Sequence, residues 1–302
     1  MFFHIHHTIT YTYGQPVFLE PMTLRLTPRQ EASQRLLRHR LAILPTPAGQ
    51  SQVVEPDGTD ATVSWFEHTH GDLTIEMEAL VQTLRVNPFD WIVTDPAVRS
   101  LPATYGDEEA HSLAPCRGHG GEEASVATWA RGLAAEVGVD TAAFLSHLAD
   151  QIHRGFEHVG RPDGDPQSAA ATLRERRGAC RDTAMLFVEA CRSLGLAGRF
   201  VSGYSMHHPP EVSEHELHAW AEVYLPGAGW RGYDPSLGLA VADGHVVLAA
   251  TPDHRLAAPV TGRFRGTGAS SRMDYDLTVR AADTLEELTG AQAGDPSATL
   301  VS

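Results

Sequence analysis

The sequence contains no lysine, so all 23 of its Lys-plus-Arg residues are arginine. Schiff-base catalysis and the phosphate-binding P-loop both need a lysine side chain, so both are excluded. Aspartate and glutamate together number 38, which gives a formal net charge of −15. A surface this acidic repels phosphate backbones and anionic lipids, so we expect no nucleic-acid partner and no membrane partner.

Cysteine is also scarce. The three residues Cys116, Cys180 and Cys191 form no C-x-x-C pair, which argues against a disulfide framework. The sequence has no apolar run of about 18 residues, and its first residues lack the basic and apolar segments of a secretory signal. We therefore expect a cytoplasmic protein with free thiols and no cofactor.

The first part of the chain shows the alternation of a β structure. From Phe3 to Tyr13 the odd positions are mainly apolar or aromatic and the even positions are His or Thr, and Leu73 to Val81 alternates in the same way. Alternation with period two is typical of half-buried strands. Pro56-Asp57-Gly58-Thr59 is a turn signal. We predict a β-rich domain over residues 1–92, built as a small sandwich or barrel-like sheet.

The rest of the chain divides into three further parts. Residues 93–124 are rich in Pro, Gly, Asp and Glu and are predicted to be a linker. Residues 125–285 mix helical periodicity with strand-like runs, which predicts an α+β domain. Its first helix has Asp140 as N-cap, its second follows Gly178, and residues 286–302 are predicted to be a disordered tail. The strand-like runs are Arg199–Tyr204, His218–Leu225, Trp230–Asp234 and Met273–Val279.

The three thiols are predicted to differ in chemistry. Cys180 falls in the first turn of the second helix, where the positive helix end and its unpaired N–H groups favour a thiolate and a developing oxyanion. Cys191 falls deep in the apolar face of the same helix, and it is predicted to be a core residue. Cys116 falls in the predicted linker and is expected to be inert. An imidazolium near Cys180 would complete an activated nucleophile.

His218 and Asp234 fall on two strands that are joined by the turn sequence Pro226-Gly227-Ala228-Gly229. A strict four-residue loop would set Asp234 opposite Ala221, on the other face of the hairpin from His218. A triad with Cys180 therefore requires a bulge or a five-residue connection. Spacing alone leaves open both a catalytic triad and unrelated structural roles for the three residues.

The residues of these segments resemble those of the bacterial transglutaminase-like superfamily. The likeness is carried by RRGACRD at 176–182, HAWAEVY at 218–224 and GWRGYDPS at 229–236, with weaker flanks before Pro28 and at 259–266. It spans about residues 2–285. It implies a papain-like transglutaminase core, in which the nucleophile helix packs on an antiparallel sheet, preceded by a β-rich domain.

The resemblance implies that Cys180 is the nucleophile, His218 the general base and Asp234 the residue that orients His218. Thr183 and Leu217 depart from the family pattern, in which an aromatic residue and Ser are frequent, and they suggest an altered pocket wall. Such a triad forms a thioester from an amide and releases an amine. No calcium loop of the D-x-D-x-D-G type is present, so calcium activation is not expected.

The acceptor of the acyl group decides the activity. Hydrolysis of a peptide or isopeptide bond, with a peptide or protein as substrate, is our first interpretation, and transfer to an amine is the second. Tyr204, Trp220 and Trp230 are candidate substrate-binding residues, because each falls near a triad residue.

Two other classes of function stay open. A metal site is suggested by His207, His208, His215, Glu216 and His218, which fall within twelve residues. Their spacing is not H-E-x-x-H, and on a strand His215 and His218 would face opposite sides. A non-enzymatic scaffold that has lost its chemistry is the third class, and the intact Cys/His/Asp set argues against it.

Overall fold

The computed structural model describes residues 1–118, 123–161, 164–207 and 217–290, and the chain divides into two compact units. The β unit comprises Met1–Arg85 and the chain from Pro259 onwards, and the central unit is Val86–Ala258. The strands are β1 (Phe2–Leu19), β2 (Met22–Leu24), β3 (Gln34–Leu44), β4 (Gly49–Val54), β5 (Asp60–Trp65), β6 (Thr69–Thr83), β7 (Glu157–His158), β8 (Arg177–Gly178), β9 (Gly198–Ser205), β10 (His218–Leu225), β11 (Gly229–Asp234), β12 (Leu239–Ala240), β13 (His245–Thr251), β14 (Val260–Thr261), β15 (Phe264–Arg265) and β16 (Ser271–Ala282). The α-helices are α1 (Pro96–Arg99), α2 (Asp107–Ser112), α3 (Ala124–Glu136), α4 (Thr141–Gly155), α5 (Ala169–Glu175), α6 (Cys180–Ser193) and α7 (Leu285–Gly290), and short 3-10 helices cover Ala114–Cys116 and His254–Ala257.

The β unit contains two antiparallel sheets. One has the order β15-β1-β6-β3 with β16 also paired to β1, and the other has the order β14-β2-β5-β4. Along β1 the odd residues from Phe3 to Ile9 are buried and the intervening ones are half-buried, which confirms the predicted alternation. Residues 56–58 form the predicted turn between β4 and β5.

The late alternating strand belongs to this β unit and not to the region expected to be the core. Strand β16 pairs with β1 from Phe2 opposite Ala282 to Tyr13 opposite Ser271. Period-two alternation identifies a strand but carries no information about its partner, so the division at residue 285 differs from the observed one. The predicted tail begins within α7, and its residues from 291 onwards fall beyond the ranges described above.

The segment predicted to be a linker packs into the central unit. Val98 and Leu101 are buried, and the Tyr105 hydroxyl donates a hydrogen bond to the carbonyl of Tyr224 at 2.8 Å while it accepts one from the Ala197 N–H at 2.9 Å. The many polar residues of this segment predicted a loop, but apolar residues between them, such as Val98 and Leu101, pack into the core of the central unit. Parts of the segment 93–124 therefore belong to the core of the central unit, and the prediction of a linker is wrong for them.

The central unit places its helices against one antiparallel sheet of order β12-β11-β10-β9-β13. Asp140 caps α4 as predicted, because its side chain accepts a hydrogen bond from the Ala143 N–H at 2.8 Å. Helix α6 packs against β9 and β10, and Phe187 on α6 stacks on Tyr233 of β11 at 5.6 Å between ring centroids. No helix in the described ranges is long and apolar enough to cross a bilayer.

Candidate active site

Cys180 is the first residue of α6, as the periodicity predicted. The helix start is held by Asp182, whose buried carboxylate accepts hydrogen bonds from the N–H groups of Ala179 and Gln167, both at 2.8 Å. Arg161 adds a third bond through Nη2 at 2.6 Å. These three donors compensate the buried charge of Asp182 and fix the first turn of α6.

The hairpin that carries His218 and Asp234 has a three-residue loop. Leu225 pairs with Gly229 and Ala221 with Tyr233, in unbroken antiparallel register. The turn closes through the Ala228 N–H and the Leu225 carbonyl at 2.9 Å, and Gly227 and Gly229 adopt positive φ angles of 87° and 73°. A β-carbon disfavours this conformation, so glycine suits both positions.

The loop length decides the face on which Asp234 lies. The observed pairing of β10 with β11 is shifted by one residue from the pairing that a four-residue loop would give. Continued to the end of β11, it sets Asp234 opposite Trp220. Trp220 and His218 are two residues apart on β10 and share a face. The expected bulge or five-residue connection is therefore wrong, although the outcome that it was meant to give, a shared face for His218 and Asp234, is observed.

Asp234 is fully buried and accepts five hydrogen bonds. Its Oδ2 accepts from His218 Nε2 at 2.6 Å and from His245 Nε2 at 3.0 Å. Its Oδ1 accepts from the Ser236 hydroxyl at 2.6 Å, the Ser236 N–H at 3.0 Å and the Leu237 N–H at 3.2 Å. Burial by itself raises the pKa of Asp234, but the His218 charge and the bonds from both histidines outweigh it and hold the pKa well below its usual value.

His218 connects this carboxylate to the thiol. Its Nε2 bonds Asp234, and its ring is also in hydrogen-bond contact with Cys180, which leaves Nδ1 as the nitrogen that faces the sulfur. Burial by itself lowers the pKa of His218, whereas the charge and hydrogen bond of Asp234, followed by Cys180, raise it well above its usual value. The arrangement favours a protonated imidazole next to the thiol.

The other two thiols lie in different surroundings. Cys191 is fully buried, and burial raises the pKa of its thiol well above the usual value. Cys116 is also buried, at the end of a 3-10 turn. Cys180 is half-buried and touches an imidazole, whereas Cys191 is a core residue, as the sequence predicted.

Sequence reasoning missed His245, the first residue of β13. Strand β13 is buried along its whole length, so its sequence HVVLAAT has no alternation that would mark it as a strand. The one available signal was a short apolar run between Gly244 and Pro252. It identifies a buried segment but not its neighbour across the sheet.

The three aromatic residues proposed to bind substrate take different positions. Tyr204 and Trp220 are fully buried, so neither offers a surface to a substrate. The Trp220 ring lies in space left by Gly203, where a Cβ would approach it to 2.7 Å, and it is 6.2 Å from the His218 ring and 5.0 Å from the His245 ring. It therefore supports the two imidazoles from within the core.

Trp230, the third of these residues, is half-buried and packs on its neighbours in the sheet. Its ring lies 5.5 Å from that of Tyr224 and 4.0 Å from the Arg199 guanidinium. Arg199 is in turn paired with the buried carboxylate of Glu222 at 2.6 Å. These contacts give Trp230 a packing role, and none of them joins it to His218 or Asp234.

The histidine-rich segment considered as a metal site is only partly described. His208, His215 and Glu216 fall in the undescribed range 208–216, and His218 is engaged by Asp234. Within the described residues the His/Cys/Asp/Glu group whose ligand atoms lie within 4.8 Å of one another is a different one, His218, Asp234 and His245. Its separations of 2.6 and 3.0 Å are those of hydrogen bonds.

Comparison with known proteins assigns both regions of the chain. Residues 3–82 match the bacterial transglutaminase-like N-terminal region, and residues 127–235 match the transglutaminase-like superfamily. An uncharacterized protein of Mycobacterium leprae is 25% identical over 296 residues, which cover 90% of this chain and 95% of its own. An uncharacterized protein of Mycobacterium tuberculosis is 27% identical over 300 residues and 92% of each chain.

A solved structure shares the fold across both regions. It is a Cytophaga hutchinsonii protein, provisionally named a cysteine protease, with a TM-score of 0.68 and 23% sequence identity over 94% of this chain and 92% of its own. The fold is thus the papain-like fold of transglutaminases, with a β-rich region at the N-terminus. The chain belongs to the transglutaminase-like superfamily, in the form that carries the bacterial N-terminal region.

Proposed function

We propose that this chain is a cysteine-dependent amide hydrolase, a peptidase or amidase, that works through a thioester. Cys180 is the nucleophile, His218 the general base and Asp234 the residue that orients His218. One observation carries the proposal: Cys180, His218 and Asp234 form a continuous chain of contacts that starts at a helix N-terminus and ends at a buried carboxylate.

The first half of the reaction makes the thioester. The Cys180 proton passes to His218 Nδ1, and the thiolate adds to the carbonyl carbon of the amide. The N–H of Cys180, one of the first four in α6, has no carbonyl of its own helix to bond and suits the developing oxyanion. The tetrahedral adduct then collapses, the C–N bond breaks, and the His218 imidazolium gives its proton to the leaving amine.

The second half of the reaction releases the acid. His218, now neutral, takes a proton from a water molecule that adds to the thioester carbonyl. The carbon–sulfur bond breaks, the carboxylic acid leaves, and the proton on His218 restores the starting pair with Cys180. Asp234 keeps its charge throughout, because its five hydrogen-bond donors disfavour protonation.

An amine acceptor in place of water would make the same thioester serve a transglutaminase reaction. The match of residues 127–235 to the transglutaminase-like superfamily makes this amine transfer the second candidate activity. The provisional name of the Cytophaga hutchinsonii protein favours hydrolysis. A chain without lysine offers only its α-amino group as an amine acceptor. It is therefore not expected to cross-link to other copies of itself through side chains, and a ladder of covalent oligomers on a denaturing gel would contradict this expectation.

The proposal is tested by alkylation and by cleavage. Iodoacetamide is expected to label Cys180 at least tenfold faster than free N-acetylcysteine at pH 6, because an ordinary thiol with a pKa near 8.5 has under about 1% thiolate there. His218→Ala should slow the labelling of Cys180 to the rate of an ordinary thiol. A peptide library with and without added amine should give cleavage or amine adducts that Cys180→Ala abolishes and the matched control Cys116→Ala retains. A Cys180 that reacts like an ordinary thiol would leave a non-enzymatic scaffold as the better description.

A further inference from the structure

Asp234 binds a second imidazole besides that of His218. His245 Nε2 lies 3.0 Å from Oδ2, the same oxygen that accepts from His218. His245 is 4% exposed, and its ring centroid is 6.0 Å from that of His218. The reaction described above uses one imidazole, so the second needs an explanation.

The hydrogen bonds fix the protonation state of His245. An ionised carboxylate only accepts, so Nε2 of His245 must carry the proton. Its Nδ1 is buried and has no hydrogen-bond partner in the described ranges. A proton at Nδ1 would therefore put a buried charge there with no acceptor, which is costly.

The groups around His245 also favour the neutral ring. Asp234 and His218 lie next to its ring, and the charge of His207, which follows β9, also acts on it. Burial, followed by the weaker repulsion of His218 and His207, lowers the pKa of His245 in spite of Asp234. His245 is thus a neutral donor beside a charged pair.

We propose that His245 is a positioning residue for the triad, which holds Asp234 Oδ2 towards His218 and takes a share of the negative charge on that oxygen. The inference rests on the proposed function, because it assigns His245 a task in the proton transfers of His218. Three donors hold Oδ1, whereas within the described residues Oδ2 has two donors, His218 and His245.

The chemical reason is the double task of His218. It must hold a proton while Cys180 is a thiolate, and it must then give that proton to the leaving amine. A group that is too basic is a poor acid, and the best compromise lies near the working pH. A second N–H on Oδ2 makes Asp234 a weaker partner, so it limits how firmly the proton stays on His218.

The experiment measures the rate of Cys180 alkylation by iodoacetamide between pH 4 and pH 10, with EDTA present and with mass-spectrometric readout of each thiol. The upper inflection of this profile marks loss of the His218 proton. His245→Leu removes the donor and should move that inflection up by about one unit, because Asp234 Oδ2 then interacts more strongly with the His218 proton. His245→Gln keeps an N–H and should stay close to the wild-type profile.

The outcomes separate the two proposals. If both variants lower the melting temperature while the upper inflection stays in place, His245 has only a structural role and the inference is wrong. If wild-type Cys180 itself shows a single ordinary inflection near 8.5, the proposed function fails first and the inference with it. In case His245→Leu does not fold, nitrogen-15 NMR of histidine-labelled wild-type protein decides: His245 should be a neutral Nε2–H tautomer at pH 7, and an Nδ1–H tautomer or a charged ring at that pH would refute the inference.

Discussion

Replacement of Asp182 by Asn tests whether the start of α6 depends on a buried charge. The carboxylate is 0% exposed and accepts three hydrogen bonds, two from backbone N–H groups and one from Arg161. Asn keeps the shape but turns one oxygen into a donor. In Asp182→Asn, one backbone N–H, such as that of Ala179, must therefore face an NH₂ group.

The expected cost follows from these contacts. A buried N–H without a partner costs about 1–3 kcal/mol, and a hydrogen bond to a charged group contributes about 1.5–3 kcal/mol. Arg161 is 31% exposed, so solvent screens part of its share. We expect a loss of about 2–4 kcal/mol in the free energy of unfolding, together with slower alkylation of Cys180, whose position depends on this cap.

Asp140→Asn is the matched control. Asp140 is an exposed N-cap of α4 that accepts one backbone N–H, and Asn caps a helix as well as Asp does. Urea unfolding followed by tryptophan fluorescence reports on the central unit, which holds four of the five tryptophans. With a slope of roughly 2 kcal/mol per molar urea, the Asp182→Asn midpoint should fall by about 1–2 M. A midpoint within about 0.3 M of both the wild type and Asp140→Asn would refute the reasoning.

Two further predictions concern the pH dependence of stability and the hairpin register. Burial, followed by the charge of His6, lowers the pKa of His7 from 6.5 to about 4. The folded protein is therefore most stable above pH 6.5, where His7 is neutral in both states, and it loses stability as the pH falls to about 4. Relative to His7→Phe, the wild type should lose about 3 kcal/mol in the free energy of unfolding over that range, measured by urea unfolding, and equal losses in the two proteins would count against the prediction. One glycine inserted between Ala228 and Gly229 should put Asp234 on the other face and abolish the selective alkylation of Cys180, whereas the same insertion after Gly58, in the turn between β4 and β5, should leave the alkylation unchanged.

The sequence carried much of this structure because its strongest signals are local. Helical spacing after Gly178 identified α6, and alternation identified β1 and the late strand β16. The motif around Cys180, His218 and Asp234 named three residues that the structure brings into contact. Each of these signals depends on residues that are close together in the sequence or on a specific sequence motif.

The hairpin shows where local reasoning stops. Four residues, Pro226 to Gly229, have the composition of a loop, and the natural assumption gives all four to it. Gly229 instead adopts a positive φ and still pairs with Leu225, so the ladder extends one residue further than composition suggests. Glycine can occupy either a turn or the end of a strand, so only the observed strand pairing shows which of these positions Gly229 takes.

Long-range partners were the other missing information. Tyr105 sits in a polar segment, yet its hydroxyl bridges Ala197 and Tyr224 across the central unit. His245 bonds a carboxylate eleven residues away through a strand without periodicity. In both cases the role of the residue depends on the hydrogen bonds of its side chain. The partners of those bonds are brought close by the order of strands in the sheet, which a local sequence pattern does not encode.

Sheet order also explains why the site forms where it does. Strand β9 pairs antiparallel with both β10 and β13, so β10 and β13 run parallel to each other and begin at the same edge of the sheet. His218 and His245 are the first residues of those two strands, opposite Gly203 and Ser205, which are two apart on β9 and share a face. Strand β11 runs against β10 and ends at that edge with Asp234. A carboxylate at the end of β11 therefore meets imidazoles from two strands, and a substitution that moves one ladder by one residue removes its group from the site altogether.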